Sequence, residues 1–271
     1  MWRLGGLSSR GQTKPLRRKW ILSVWKRFLP LLRTAQARRY RYHRRPGATR
    51  WMGSAMTQYR SGRTSPVQPA IRSANIVPVE HRVPLAERIL ANGHRSGILW
   101  LTGLSGAGKS TLAMELERHL FDAGYQVTVL DGDNIRHGLS ADLGFSPEDR
   151  AENIRRVGEA ALICAQAGML VVTAFISPCR ADRDRARRIG GDLFHEIYVQ
   201  ASLEVCESRD PKGLYAKARR GEIPEFTGIS APYQPPLAPE MVVNTGAWGL
   251  EQSLARLLEY VHGNFALSGG R

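Results

Sequence analysis

From about residue 95 onward the chain repeats one pattern: a short apolar run, then a longer stretch whose apolar residues recur every three or four positions. The runs are "GILWLT", "YQVTVLD", "GMLVVTAFI", "FHEIYVQA" and "EMVVNT". Each reads as a strand, and the stretches between them read as helices. Such alternation predicts an α/β fold, a parallel sheet with helices on both faces. Ligands of such sheets bind beyond the carboxyl ends of the strands.

Several helix ends are legible. "PLAERILANGH" predicts a short helix stopping near Gly93, and "STLAMELERHLFDAG" one closed by Gly124. In "GFSPEDRAENIRRVGEAALICAQAG", Ser146 is the expected N-cap and Pro147 the first helical residue. Glu148 and Asp149 suit the positive end of that helix, and Gly168 closes it. Val157, Ala160, Ala161 and Cys164 form the stripe expected to face the sheet. Arg150 and Asn153, three apart, share one face near the helix start.

Charge divides the chain. Net charge is +15, yet 18 of the 39 Lys and Arg residues, and no acid, precede Glu80. The remainder is an ordinary, slightly acidic globular composition, so the basicity gives no reason to expect nucleic-acid binding by the catalytic part. Residues 1–79 read as a basic, disordered extension, and residues 80–271 as the catalytic domain. Three readings of the extension stay open: an Arg-rich targeting peptide, a tail for nucleic acid or anionic lipid, or upstream translation with initiation at Met52 or Met56. The absence of periodicity or motif before Ile76 favours the third. "WILSVWKRFLPLL" is too short and too interrupted to span a bilayer, so no transmembrane segment is expected. Cys164, Cys179 and Cys206 lack metal or disulfide spacing, which suits a reducing compartment and a cytoplasmic location.

The first chemical motif follows the first strand. "GLSGAGKST" comprises Gly103, Leu104, Ser105, Gly106, Ala107, Gly108, Lys109, Ser110 and Thr111. It meets the phosphate-binding pattern G-x-x-x-x-G-K-[ST], in which backbone N–H groups wrap the phosphates of a nucleotide such as ATP. Lys109 is then expected at the β- and γ-phosphates and the Ser110 hydroxyl on Mg²⁺. A glycine-rich turn that binds nothing is the plain alternative, but strand before and helix after match the motif's context.

The acceptor must be read downstream. "LDGDNIRHGL" places Asp131 and Asp133 at a strand end, with Asn134 and Arg136 beside them. Phosphoryl transfer needs an oriented hydroxyl, a metal-bound phosphate and neutralised charge. A carboxylate can orient the hydroxyl or take its proton. Arginines there favour an anionic acceptor.

These motifs, with "GFSPEDRAENIRR", "FISPCR", "DPKGLYAKARRGEIPEFTG" and "APYQPP", occur in an order that resembles the adenylylsulfate kinases over nearly all of the chain from about Pro84. The resemblance implies a P-loop NTPase-type fold and phosphorylation of the 3′-hydroxyl of adenosine 5′-phosphosulfate by MgATP. It also implies roles. Asp133 orients or deprotonates the acceptor hydroxyl, and Asp131 supports the metal–phosphate region. Arg136, Arg150 and Asn153, with Asn134 and Thr227, hold the acceptor, while Phe145 and Phe226 sandwich its adenine. Ile176 and Ser177 line the pocket, Ser177 matching a serine linked in the family to a phosphoenzyme form. The basic stretch around Lys212 becomes a lid hinged at Gly213, Gly221 and Gly228. The family is often dimeric, and association with ATP sulfurylase is a further implied partnership. Three departures stand out: Cys179, where an aromatic or histidine is usual, Ala216 for lysine, and Ser230 for aspartate. Two alternatives remain at this point, another P-loop small-molecule kinase and a non-catalytic partner of ATP sulfurylase. Retention of Lys109 and Asp133 argues against the second.

Overall fold

The five apolar runs form five strands: β1 (Gly97–Thr102), β2 (Val127–Asp131), β3 (Leu170–Ala174), β4 (Phe194–Gln200) and β5 (Met241–Asn244). All pairings are parallel, in the order β2-β3-β1-β4-β5. This is a computed structural model that describes residues 81–267 together with Asn75, Val77 and Val79. Apart from those three residues, the basic extension and the readings made of it lie outside the described residues.

Central β1 is buried on both faces, as a strand covered by helices above and below must be. Leu99 and Leu101 enter one core with Leu170, Val172, Ile197 and Val199, while Ile98 and Trp100 enter the other with Val171, Phe175 and Phe194. The first core is closed by α2 (Lys109–Asp122) and α8 (Leu250–Phe265), which bury Leu112, Leu116 and Leu120 and Leu254, Leu257 and Val261 at helical spacing. The second is closed by α4 (Pro147–Gln166) and α5 (Arg180–Gly190). Shorter helices complete the domain: α1 (Leu85–Asn92), α3 (Gly132–Arg136), α6 (Leu203–Arg209) and α7 (Leu214–Arg219).

The expected caps form. Gly93 ends α1 at φ 76°, and the Ser146 hydroxyl accepts from Asp149 N at 3.1 Å. Gly124 and Gly168 follow α2 and α4 in the left-handed region. The stripe on α4 needs correction. Its buried centre is Ile154, Val157, Gly158, Ala161 and Ala165, whereas Ala160 and Cys164 are half-buried at its margin. Gly158 shifts the stripe because α5 packs there: a Cβ on Gly158 would lie 3.6 Å from Ala186.

Candidate active site

Because the strands are parallel, their following loops gather at one end, around a cavity of about 1190 Å³. Ligand pockets run from about 300 to about 1,000 Å³, and this one lies just above that range.

The phosphate-binding loop forms one wall. Ser105, Gly106, Gly108, Lys109, Ser110 and Thr111 line the cavity, while Gly103, Leu104 and Ala107 do not. Those three shape the turn instead. A Cβ on Gly103 would sit 2.3 Å from Val199 O, and one on Gly106 2.8 Å from Cys206 O, so both positions need glycine. Ala107 is fully buried, and its carbonyl accepts from Thr245 Oγ1 at 2.7 Å. Lys109 is buried, and burial lowers its ammonium pKa to about 8, opposed by the nearby Cys206 and Asp131. Its Nζ donates to Leu104 O at 2.7 Å.

At the end of β2, Asp131 uses both oxygens. Oδ1 caps α3 by accepting from Asp133 N at 3.0 Å, and Oδ2 accepts from Ser110 Oγ at 2.6 Å. Asp133 extends into the cavity and pairs with Lys212. Asn134 does not join them: it lies one position further round α3, exposed, away from the cavity lining.

The acceptor side is built around two guanidinium groups. Arg136 donates to Leu143 O and Gly144 O and lies 4.3 Å from the Phe145 ring centroid. Its pKa is lowered by burial and then by the like charge of Arg150. Arg150 donates to Phe145 O, Thr227 Oγ1 and Glu225 O, at 2.8, 3.0 and 2.8 Å. Phe145 is 66% exposed and Phe226 8%, yet both line the one cavity. Asn153, Ile176 and Thr227 line it too. Asn153 is buried, and its Oδ1 has no protein partner.

Ser177 departs from the sequence expectation. The residue borders the cavity, but its hydroxyl is turned into the domain, accepting from Trp100 Nε1 at 3.2 Å and donating to Thr102 Oγ1 at 2.9 Å. Two per cent exposed, this oxygen is committed to the wall and not presented as a nucleophile.

The adenylylsulphate kinase family model matches residues 95–244, more than half of the chain. The chain belongs to this family. It is 60% identical over 171 residues to the adenylyl-sulfate kinase of Bacillus pumilus, covering 63% of this chain and 87% of that protein. It is 58% identical over 193 residues to that of Acaryochloris marina, covering 70% and 94%. Among solved structures, Mycobacterium tuberculosis APS kinase CysC in complex with AMPPNP and APS matches with a TM-score of 0.60 and 46% identity, over 62% of this chain and 98% of that one.

In this member of the family the basic segment around Lys212, expected to form a lid, is more firmly seated than a solvated helix. Tyr215 on α7 is buried, and its hydroxyl donates to Ser105 O in the phosphate loop at 2.9 Å. Its ring meets Phe226 edge-on, centroids 5.0 Å apart. Gly213 and Gly221 adopt positive φ in open space. At Gly228, also at positive φ, a Cβ would instead lie 3.2 Å from the Leu104 and Leu203 side chains, and its N–H donates to Ala231 O at 2.7 Å, which makes it a fixed turn and not a hinge. Of the three departures, Ser230 has an evident role: its hydroxyl accepts from Phe226 N at 2.9 Å.

The loop after β5 and the first turn of α8 carry site residues that no sequence motif announces. Thr245, Trp248, Leu250 and Ser253 line the cavity together with Arg209, and Arg209 Nη2 donates to Thr245 O at 2.6 Å. Ser253 Oγ is fully buried without a protein partner. The carboxyl-end rule already pointed to this loop, since "EMVVNT" reads as a strand.

Proposed function

We infer that the protein transfers the γ-phosphoryl group of ATP to the 3′-hydroxyl of adenosine 5′-phosphosulfate, releasing ADP and 3′-phosphoadenosine 5′-phosphosulfate, a step of sulfate activation. One observation carries the reading. A single cavity joins the phosphate loop to a pair of phenylalanines flanked by two neighbouring guanidinium groups. Two like charges held that close suit an anionic ligand, and the rings suit a flat base.

ATP phosphates belong on Ser105–Thr111, with Lys109 at the transferred group. Asp133 orients the acceptor hydroxyl and is placed to receive its proton. Lys212, paired with Asp133 from the lid, holds that carboxylate toward the cavity and excludes water as the lid closes. Phe145 and Phe226 flank the acceptor adenine. Arg136 and Arg150 supply positive potential to the phosphosulfate while keeping the Phe145 and Glu225 turns in place. Asn153, with a buried free acceptor, reads a donor group on the acceptor nucleotide.

Ser110 and Asp131 offer hard oxygen donors beside the phosphate loop, which fit Mg²⁺. That ion takes one or two protein groups and completes its shell with water and substrate phosphates. Among the described residues no group of three or more His, Cys, Asp and Glu could hold a metal ion. When bound, Mg²⁺ neutralises charge on the phosphates.

We assign the activity to residues 80–271, with 1–79 as an extension, and propose a cytoplasmic homodimer, with ATP sulfurylase as a further partner to test. No described helix is long and apolar enough to cross a membrane. Purified protein, MgATP and adenosine 5′-phosphosulfate should yield the 3′-phosphorylated product; turnover of another small-molecule acceptor in its place would overturn the reading. Light scattering tests the dimer and co-purification the sulfurylase. Lys109→Ala should lower kcat by about a hundredfold or more, because its charge is aimed where charge shifts in the transition state. An unchanged kcat would remove Lys109 from that role.

A further inference from the structure

The segment "APYQPP" has no place among the substrate contacts assigned above, yet it sits on a buried network whose centre is Arg183. Arg183 is 2% exposed. Its guanidinium donates in three directions at 2.6 Å each: Nε to Glu196 Oε1 on β4, Nη1 to Ser177 O, and Nη2 to Gln234 O. The ring of Tyr233 lies 5.7 Å away, and its hydroxyl bonds Thr102 Oγ1 at 3.0 Å. Gln234 then ties the loop again, its N–H donating to Pro178 O and its Oε1 accepting from Arg180 N, both at 2.9 Å.

Ser177 has φ 41°, a left-handed conformation that a residue other than glycine keeps only when its surroundings over-determine it. Here the surroundings are those bonds. The loop they fix, Ile176 to Pro178, walls the cavity. No side chain but arginine offers a rigid planar fork to one carboxylate and two separate carbonyls, and its burial leaves it no water to fall back on.

We propose that Arg183 is a positioning residue for the acceptor side of the site. Glu196, Tyr233 and Gln234 complete its clamp, and a buried charge that lines no part of the cavity thereby fixes the strained Ser177 turn and the acceptor wall. The proposal rests on the kinase reading for which substrate it affects, not for the clamp itself.

The test uses the full chain. Arg183→Lys keeps the charge, but its single ammonium nitrogen cannot span the three separated acceptors that Nε, Nη1 and Nη2 reach. Its KM for adenosine 5′-phosphosulfate should rise about tenfold, the worth of one lost charge-assisted hydrogen bond, with the KM for ATP unchanged within about twofold. Hydrogen exchange of a peptide covering residues 174–180 should accelerate. In Arg183→Ala, millimolar guanidinium should restore the acceptor KM, which a generally loosened fold would not show. Equal rises in both KM values, or unchanged exchange of that peptide, overturn the proposal. Should both variants fail to fold, Tyr233→Phe decides by the same readouts: a smaller shift confined to the acceptor KM supports the clamp, and no shift or a shared one rejects it. Wild-type protein inactive on adenosine 5′-phosphosulfate would overturn the functional reading alone, since hydrogen exchange judges the clamp without turnover.

Discussion

Asp133 and Ser177 follow the ends of neighbouring strands, and the fold gives them opposite orientations. The Asp133 carboxylate reaches outward to Lys212, whereas the Ser177 hydroxyl turns inward to Trp100 and Thr102. Ser177→Ala should therefore keep most of the turnover and lose stability. About 1–3 kcal/mol is expected for leaving the buried Trp100 N–H unsatisfied. Chemical denaturation measures that loss, and a collapse of kcat in a stably folded variant would restore Ser177 as a reacting group. Phe145 is the reverse case, an exposed ring whose removal costs the fold little. Stacking of a base on an aromatic ring is worth about 1–3 kcal/mol, so Phe145→Ala should raise the acceptor KM about tenfold or more with a near-unchanged melting temperature. An effect on kcat alone would contradict the stacking role.

At the scale of elements, the strands were legible because a parallel strand covered on both faces is largely apolar, and "GILWLT" and "LVVTA" are, with one threonine in each. The phosphate loop was legible because its glycines are sterically required. What escaped depends on which loops meet. Thr245 and Arg209 act through backbone carbonyls, and no spacing in the sequence announces a hydrogen bond between segments so far apart. Asn134 misled for the opposite reason: it neighbours Asp133 in sequence, but one step round α3 turns it to solvent. The lid shows both effects. Its basic composition alone suggested a solvated helix, the family resemblance implied a cover, and Lys212 does reach Asp133. Its attachment through Tyr215 to the phosphate loop became visible only in the fold. If Lys212 holds the lid over the reacting groups, Lys212→Ala should admit water. ADP formation should then exceed formation of the phosphorylated product, and the acceptor KM should rise. A ratio that stays at one ADP per product would show that closure does not depend on this pair.

Across the whole molecule, catalysis and one source of pH sensitivity lie at opposite poles of the sheet. The cavity occupies the carboxyl ends of the strands. The amino ends are joined through His94, which is 2% exposed and precedes β1. Its Nδ1–H donates to Arg95 O at 2.8 Å, and its Nε2 accepts from Gln126 N, just before β2, at 2.9 Å. Arg95 N donates in turn to Phe265 O at 2.7 Å, bringing in the end of α8. Protonated His94 could not accept from Gln126, and burial lowers its pKa below the ordinary 6.5. Burial acts in the same direction on His195, near the start of β4. A folded-state pKa below that of the unfolded chain means that the unfolded state binds protons first as pH falls. Stability from these groups is therefore complete above the ordinary histidine pKa and is lost as pH drops below it. The melting temperature should be lower at about pH 5.5 than at about pH 7.5, and His94→Gln, already less stable at the higher value, should show a smaller further drop. Because the site is remote, acceptor KM at the lower pH should change less than stability does, as long as the assay temperature stays below the transition. A melting temperature that rises on acidification, or an undiminished drop in His94→Gln, would assign the acid response to other groups.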